Sequence, residues 1–103
     1  MKYRNTITYY DGRRFDSIKE CERYKVLRLL EKSGEIKDLQ CQKKYVLIPK
    51  QGKERQCAYI ADFVYTNKKG DTIVEDVKGL KTQVYKIKRK LMKYFYNIDI
   101  HEV

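Results

Sequence analysis

The chain has 103 residues, a length that fits one domain over residues 1–103 and leaves no room for a second. Its net charge of +10, with 37% charged residues, predicts a solvated surface and a polyanionic partner such as nucleic acid. The sequence has no apolar run near the ~20 residues of a membrane span, and residues 1–6 lack a signal-peptide core, so we expect a cytoplasmic protein without membrane association.

The first third of the chain predicts a β-hairpin followed by a helix. Asp11 and Gly12 form a turn signal between β-prone residues in the stretch 5–15. Ser17 is the expected N-cap of the helix, and Glu20 follows it at the spacing of a capping box. Apolar positions then recur at helical spacing until Gly34 ends the helix: Cys21, Tyr24, Leu27 and Leu30 or Glu31.

The rest of the chain predicts three strands, a second helix and a last short strand. The strands are expected at 39–48, 57–66 and 72–78, the helix at 82–96 and the last strand at 98–103. The expected apolar face of the second helix consists of Val84, Ile87, Leu91 and Tyr94 or Phe95. This order of elements is typical of an α/β domain whose sheet is flanked by helices.

The cysteines predict neither a disulfide framework nor a zinc site. Cys21, Cys41 and Cys57 are odd in number and contain no CxxC pair, and His101 is the only histidine in the sequence. We expect three reduced, partly buried thiols.

Asp62 is the most informative residue, because it is a carboxylate in the middle of an apolar strand. Side chains alternate along a strand, so Asp62 is expected to share a face with Ala58, Ile60 and Val64. An unpaired carboxylate there would cost several kcal/mol. A bound cation or a lysine partner would remove that cost.

Asp76 and Lys78 are expected on one face of the next strand, roughly 7 Å apart. Two carboxylates and an ammonium on adjacent strands suit a divalent metal ion beside a phosphate. This arrangement favours a nuclease.

The predicted second helix and the residues before it are strongly basic. No acidic residue occurs from Val77 to Ile98. The basic residues in this stretch are Lys78, Lys81, Lys86, Lys88, Arg89, Lys90 and Lys93. One-sided charge of this kind suits a polyanion. The alternative is a solvated helix without a partner.

These features resemble the PD-(D/E)XK nuclease superfamily, and look most like its small phage- and prophage-encoded members classed as a domain of unknown function. The resemblance covers nearly the whole chain and rests on residues 15–20, 61–63 and 74–79, and on Lys81, Thr82, Tyr85 and Lys88. Ala61 stands where the literal motif has proline. The resemblance implies a restriction-endonuclease-like core, in which a mixed β-sheet is flanked by two helices in the order α-β-β-β-α-β, after an N-terminal β-hairpin.

The resemblance implies a DNA endonuclease that hydrolyses phosphodiester bonds with Mg²⁺ or Mn²⁺. Asp62 and Asp76 would hold the metal with the backbone carbonyl of Val77. Lys78 would orient the attacking water or stabilise the transition state. Glu20 matches the helix glutamate that often completes the site in this superfamily. The residues expected to reach neighbouring phosphates are Lys81, Gln83, Tyr85 and Lys88.

Each of these assignments has an alternative. Asp62 could be a buried structural carboxylate, Asp76 and Lys78 could form an ordinary ion pair, and Glu20 could serve only as a cap residue. Glu75 would be the ligand if the strand register slipped by one. The remaining alternatives are that Glu22 is solvated, Gln42 is a plain strand-end residue, and Tyr85 covers the edge of the core.

Because the chain is too small to carry a separate sequence-reading domain, we expect recognition of branched, junction or single-stranded DNA by its backbone geometry. The resemblance suggests a role in phage recombination or replication. A homodimer is expected because cutting two strands needs two sites. The main alternative is a non-catalytic nucleic-acid-binding module with the same fold, and the second is a basic protein-interaction adaptor.

Overall fold

The computed structural model describes residues 6–103. The first five residues lie outside the described part of the chain. They include Asn5, the expected start of the hairpin, and most of the stretch used to predict the absence of a signal peptide. The elements in chain order are β1 (Thr8–Tyr10), β2 (Arg13–Phe15), α1 (Ile18–Lys32), β3 (Ile36–Ile48), β4 (Cys57–Asn67), β5 (Thr72–Asp76), α2 (Gln83–Tyr96) and β6 (His101–Glu102).

The strands form a separate hairpin and a mixed four-stranded sheet. β1 and β2 pair antiparallel through a turn in which Asp11 and Gly12 both have positive φ, as the Asp-Gly signal predicts. The sheet has the order β3-β4-β5-β6, with β5 and β6 parallel and the other pairs antiparallel. α2 connects the two parallel strands. The predicted α/β class, with two helices, a mixed sheet and a hairpin, is confirmed.

Both helices begin and end where the local sequence predicts. The Ser17 hydroxyl accepts a hydrogen bond from the Glu20 amide at 3.1 Å, and Gly34 follows α1 with a φ of +85°. Thr82 caps α2 in the same way, and Asn97 ends it in the left-handed conformation. No helix among residues 6–103 has the length and apolarity needed to cross a membrane.

Each helix covers one face of the sheet. The cluster on the α1 side, the α1-side cluster, consists of Phe15, Cys21, Tyr24, Leu27, Ile36, Phe63 and Tyr65. The cluster on the other face, the α2-side cluster, consists of Tyr45, Leu47, Tyr59, Ala61, Val64, Val74, Tyr85 and Met92. The predicted core positions Cys21, Tyr24 and Leu27 are therefore confirmed.

The predicted apolar face of α2 was wrong. Tyr85 and Met92 are the buried residues of this helix, and Leu91 packs at the margin of the α2-side cluster. The other residues of the predicted face are exposed: Val84, Ile87, Tyr94 and Phe95. The cause is that α2 carries two apolar stripes, and the sheet accommodates the one with the buried tyrosine.

The side chains of β4 change faces at Asp62. Tyr59 and Ala61 pack in the α2-side cluster, whereas Phe63 and Tyr65 pack in the α1-side cluster. In a regular strand these four odd-numbered residues would face the same side. The alternation therefore breaks between Ala61 and Phe63, at the candidate catalytic carboxylate.

The neighbouring strand has the matching irregularity at Gln42, which has a positive φ of 55° inside β3. Cys41 packs at the α1-side cluster, whereas Tyr45 belongs to the α2-side cluster. The prediction that Asp62 shares a face with Val64 was wrong for this reason, because Val64 belongs to the α2-side cluster. Irregularities of this kind re-aim side chains and are common beside active sites.

β5 is shorter than the predicted strand 72–78, and it ends at Asp76. The pairing of β4 with β5 stops at Phe63 and Glu75. The next free amide, that of Val77, donates to the Asp62 side chain at 2.8 Å. A side-chain acceptor thus replaces the β4 backbone, while on the other edge the Lys78 amide still donates to the Val103 carbonyl at 3.2 Å.

Candidate active site

A cleft of about 460 Å³ lies where β5 ends, between the start of α1 and the segment that leads to α2. We call it the carboxylate cleft. Its lining residues are Asp16, Ser17, Lys19, Glu20, Ile60, Asp62, Asp76, Val77, Lys78, Gly79 and Leu80. The structure therefore brings the four predicted catalytic residues and Val77 to one opening at the end of a strand.

Asp62 is fixed by two hydrogen bonds from different elements. Its Oδ2 accepts from the Val77 amide at 2.8 Å, and its Oδ1 accepts from Gln42 Nε2 at 3.3 Å. The change of face at this residue directs its carboxylate to the α1 side of the sheet, where Gln42 also contacts Glu20. Both hydrogen bonds hold the carboxylate in one orientation.

Asp76 and Lys78 form an ion pair with 3.1 Å between Asp76 Oδ1 and Lys78 Nζ. The other oxygen of Asp76 accepts from the Tyr59 hydroxyl at 2.6 Å, and the residue is only 4% exposed. Lys78 Nζ also lies 4.0 Å from the centre of the Tyr85 ring. The ammonium is thus held between a carboxylate and an aromatic face, with part of its surface open to the cleft.

Glu20 faces the cleft from the first turn of α1. Its backbone amide completes the cap with Ser17, while its Oε1 accepts from Gln42 Nε2 at 3.1 Å. The backbone amide of Glu20 therefore makes the cap contact, while its carboxylate remains oriented toward Asp62. One amide nitrogen, that of Gln42, bridges the two carboxylates.

The clustering of acidic groups is unfavourable for their charged forms. Burial, and then repulsion by Asp62 and other acidic groups, raises the pKa of Glu20 from 4.5 to about 7. Burial, and then the charge of Asp76, raises the pKa of Asp62 from 3.8 to about 6 against the lowering effect of the Val77 amide. A cation between these groups would relieve both effects.

The donor chemistry fits a hard divalent cation. Mg²⁺ is commonly held by one or two carboxylates and completes its shell with water and phosphate oxygens, and Asp62 and Asp76 line the same cleft. Within residues 6–103, no group of three Asp, Glu, His or Cys side chains is arranged to enclose a metal ion by itself. The carboxylate pair of the cleft therefore fits an open site that water and phosphate oxygens would complete.

Glu75, the alternative ligand, points into the protein. It is 2% exposed, and Arg23 donates to its two oxygens at 2.8 and 2.6 Å. The Tyr65 hydroxyl donates to the same carboxylate. Glu75 does not line the carboxylate cleft. Its contacts with Arg23 and Tyr65 explain a buried carboxylate without a catalytic role. Glu22, as expected, is exposed and pairs with Lys25.

The predicted phosphate-binding residues lie in three different environments. Tyr85 is buried, and its hydroxyl donates to Glu102 at 2.7 Å. Lys81 pairs with the same glutamate at 3.0 Å. Gln83 is exposed at the first turn of α2, and Lys88 lines a second opening with Asp76 and Lys78. Contact of these four residues with DNA stays a prediction.

Two residues of the site were not predicted from the sequence. The Tyr59 hydroxyl donates to Asp76. Glu102 accepts a hydrogen bond from Tyr85 and forms ion pairs with Lys81 and Arg89. The hydrogen bond from Tyr85 lowers the pKa of Glu102 to about 2. The available signal for Glu102 was an acidic residue in the predicted last strand, which the structure places beside β5.

The stability of the metal-free protein should depend on the ionisation of Glu20. Its pKa is higher in the folded protein than its ordinary value, so ionisation destabilises the fold increasingly as pH rises from 4.5 to about 7. Glu20→Gln should therefore match wild type near pH 4 and be more stable by about 1 kcal/mol at pH 8, after allowance for solvent in the cleft. Urea unfolding in EDTA at both pH values measures this. A stability difference that is constant over pH would contradict it.

Comparison with known families gives a match over nearly the whole chain. A family model described as "Protein of unknown function (DUF1064)" matches residues 1–102. The chain belongs to this family, whose description assigns no activity. No curated protein and no solved structure matches the chain.

Proposed function

We propose that this protein is a metal-dependent DNA endonuclease of the PD-(D/E)XK type, with a restriction-endonuclease-like core. The supporting observation is that Asp62, Asp76, Lys78 and Glu20 meet in the carboxylate cleft, although they come from three different elements and the segment after β5. Two of these carboxylates have raised pKa values because they are wholly or partly buried and lie near other acidic groups. Perturbed acids in a cleft are a feature of functional sites.

In this proposal Asp62 and Asp76, with the Val77 carbonyl, hold Mg²⁺ or Mn²⁺. When bound, the metal would activate a water molecule and neutralise charge on the scissile phosphate. Lys78 already lies 3.1 Å from Asp76, so its ammonium can donate to a phosphate oxygen beside that carboxylate. Gln42 holds Glu20 and Asp62 in their orientations, and Tyr59 does the same for Asp76.

The proposed substrate is DNA recognised by its backbone geometry, such as a branched, junction or single-stranded form. The basic residues of α2 follow directly after the cleft, and Lys88 lines an opening that shares Asp76 and Lys78 with it. The strong positive charge supplies affinity for phosphates without reading bases. The setting we propose is phage or prophage recombination or replication in a bacterial cytoplasm.

A cleavage panel tests the proposal. Labelled single-stranded, duplex and four-way-junction DNA are incubated with the protein in Mg²⁺, Mn²⁺ or EDTA, beside an Asp76→Ala control. Cutting is expected with either metal, no cutting in EDTA, and none with the variant. Binding of all three DNAs without cutting in any metal would contradict the enzyme proposal.

The second candidate is a nucleic-acid-binding module without activity. The observation that favours it is the basic face of α2, formed by Lys86, Lys90 and Lys93, which lies apart from the cleft lining. A module of this kind would keep its DNA affinity after loss of Asp76, and EDTA would leave that affinity unchanged. The same panel, with a gel-shift measurement added, separates the two functions.

A further inference from the structure

α2 exposes an apolar stripe that the rest of the fold does not cover. Val84 is 61% exposed, Ile87 56%, Tyr94 81% and Phe95 52%. Together with Leu91, which is partly buried, these residues are called the α2 apolar stripe. Leu80, in the segment before α2, is also exposed and lines the carboxylate cleft.

The stripe has the spacing of a helix–helix seam. Val84, Ile87, Leu91 and Tyr94 are separated by three, four and three residues, the alternation that places a and d positions along one side of a helix. At 100° per residue the centre of the stripe lies about 120° from the midpoint of the buried Tyr85 and Met92, and about as far from the midpoint of Lys86 and Lys90. α2 thus has a core face, a basic face and an apolar face that, among residues 6–103, is exposed except at Leu91.

We propose that the α2 apolar stripe is the interface of a homodimer, in which α2 packs antiparallel against α2 of a second copy. A two-fold axis near Leu91 brings each stripe onto itself, as an isologous interface requires. The proposal rests on the exposed residues of α2 and does not depend on hydrolysis. If the chain is a nuclease, the dimer supplies one cleft for each strand.

The exposed area agrees with a weak but specific dimer. Because aromatic side chains present ~150–250 Å² each, Tyr94 and Phe95 alone expose on the order of 250 Å². The whole stripe is on the order of 500 Å², at the upper end for the largest patch of a monomer. Two copies would bury about 1,000 Å², the lower bound for a specific interface.

The charges around the stripe predict how the dimer responds to salt. α2 contains no acidic residue, and Lys88 and Lys90 flank the stripe. Self-association therefore brings like charges together, and salt should strengthen it by screening them. An acidic partner protein on the same stripe would show the opposite response.

Sedimentation velocity of the full chain tests the interface. Measurements from about 1 μM to about 1 mM cover the range in which weak association becomes visible. Wild type should change reversibly from monomer to dimer, with a tighter dimer at high salt. Ile87→Lys should raise the dimer dissociation constant by roughly 30-fold or more.

Leu29→Lys on α1 is the matched control, because Leu29 is also an exposed apolar helix residue, and it should leave the dimer intact. Tyr94→Ser gives an independent disruption if Ile87→Lys lowers the helical circular-dichroism signal. A monomer at every concentration, or a dimer that keeps its dissociation constant in both stripe variants, would overturn the proposal. A monomer that sediments with phosphatidylglycerol vesicles, and does so only while Ile87 is present, would also overturn the proposal. That result would assign the stripe to a membrane surface.

Discussion

Asp62→Asn is expected to abolish DNA cleavage and, at the same time, to stabilise the metal-free protein. A neutral amide is a poor ligand for a hard cation, and loss of metal assistance should lower the cleavage rate by roughly 10³-fold or more. The folded protein raises the pKa of Asp62 to about 6, so the carboxylate is ionised at neutral pH at a cost in stability. The variant removes that cost and should unfold at higher urea concentration in EDTA at pH 8.

Asp71→Asn provides the control for this pair of effects. Asp71 is exposed in the turn before β5, so the same chemical change occurs far from the carboxylate cleft. Its cleavage rate and urea midpoint should equal those of wild type. An Asp62→Asn protein that loses both stability and activity would contradict the account, because it would make Asp62 a structural carboxylate.

Glu75→Gln should have the opposite profile, in which stability is lost. The carboxylate is buried and accepts from Arg23 and Tyr65. The substitution leaves the partly buried Arg23 without its counter-charge, which should lower the free energy of unfolding by about 3 kcal/mol. Urea unfolding at pH 7.5 measures the loss. Cleavage per folded molecule should remain.

The matched control is Glu22→Gln, since Glu22 pairs with Lys25 on the exposed side of α1. An exposed pair contributes little, so its urea midpoint should stay close to that of wild type. If Glu75→Gln abolished cleavage in fully folded protein, Glu75 would be a site residue, and the assignment of Asp76 would have to be revised.

Features encoded by local chemistry could be predicted from the sequence. Ser17 and Thr82 cap the helices through contacts three residues away, and Asp11 with Gly12 turns the hairpin. These contacts depend on neighbours in the chain, so the sequence alone contains the information. The element order followed from them.

Features decided by tertiary packing could not be predicted in this way. α2 has two apolar stripes of helical spacing, and the sequence pattern does not say which one meets the sheet. Tyr85 is buried because its hydroxyl reaches Glu102 on a parallel strand, a contact 17 residues away in the chain. The exposed stripe is the larger apolar signal, so the sequence favoured the wrong face.

The candidate site divides in the same manner. Asp62 and Asp76 could be grouped because they lie on consecutive strands, with Lys78 two residues after Asp76, and α1 adds Glu20 at a motif position. The break in alternation at Gln42 and Asp62 could not be foreseen, because it needs a positive φ that glutamine rarely adopts. The result is that Gln42 Nε2 contacts both Glu20 and Asp62, whereas the sequence favoured a plain strand-end residue.

The single-turnover rate of DNA cleavage tests the central claim most directly. Wild type, Asp76→Asn and Asp71→Asn are compared in Mg²⁺ and in EDTA, on the DNA form that wild type cuts fastest. Wild type and Asp71→Asn should cut at the same rate in Mg²⁺, and Asp76→Asn should not cut above the rate in EDTA. Equal cleavage by Asp76→Asn and wild type, or cleavage that persists in EDTA, would contradict a metal-dependent nuclease centred on the carboxylate cleft.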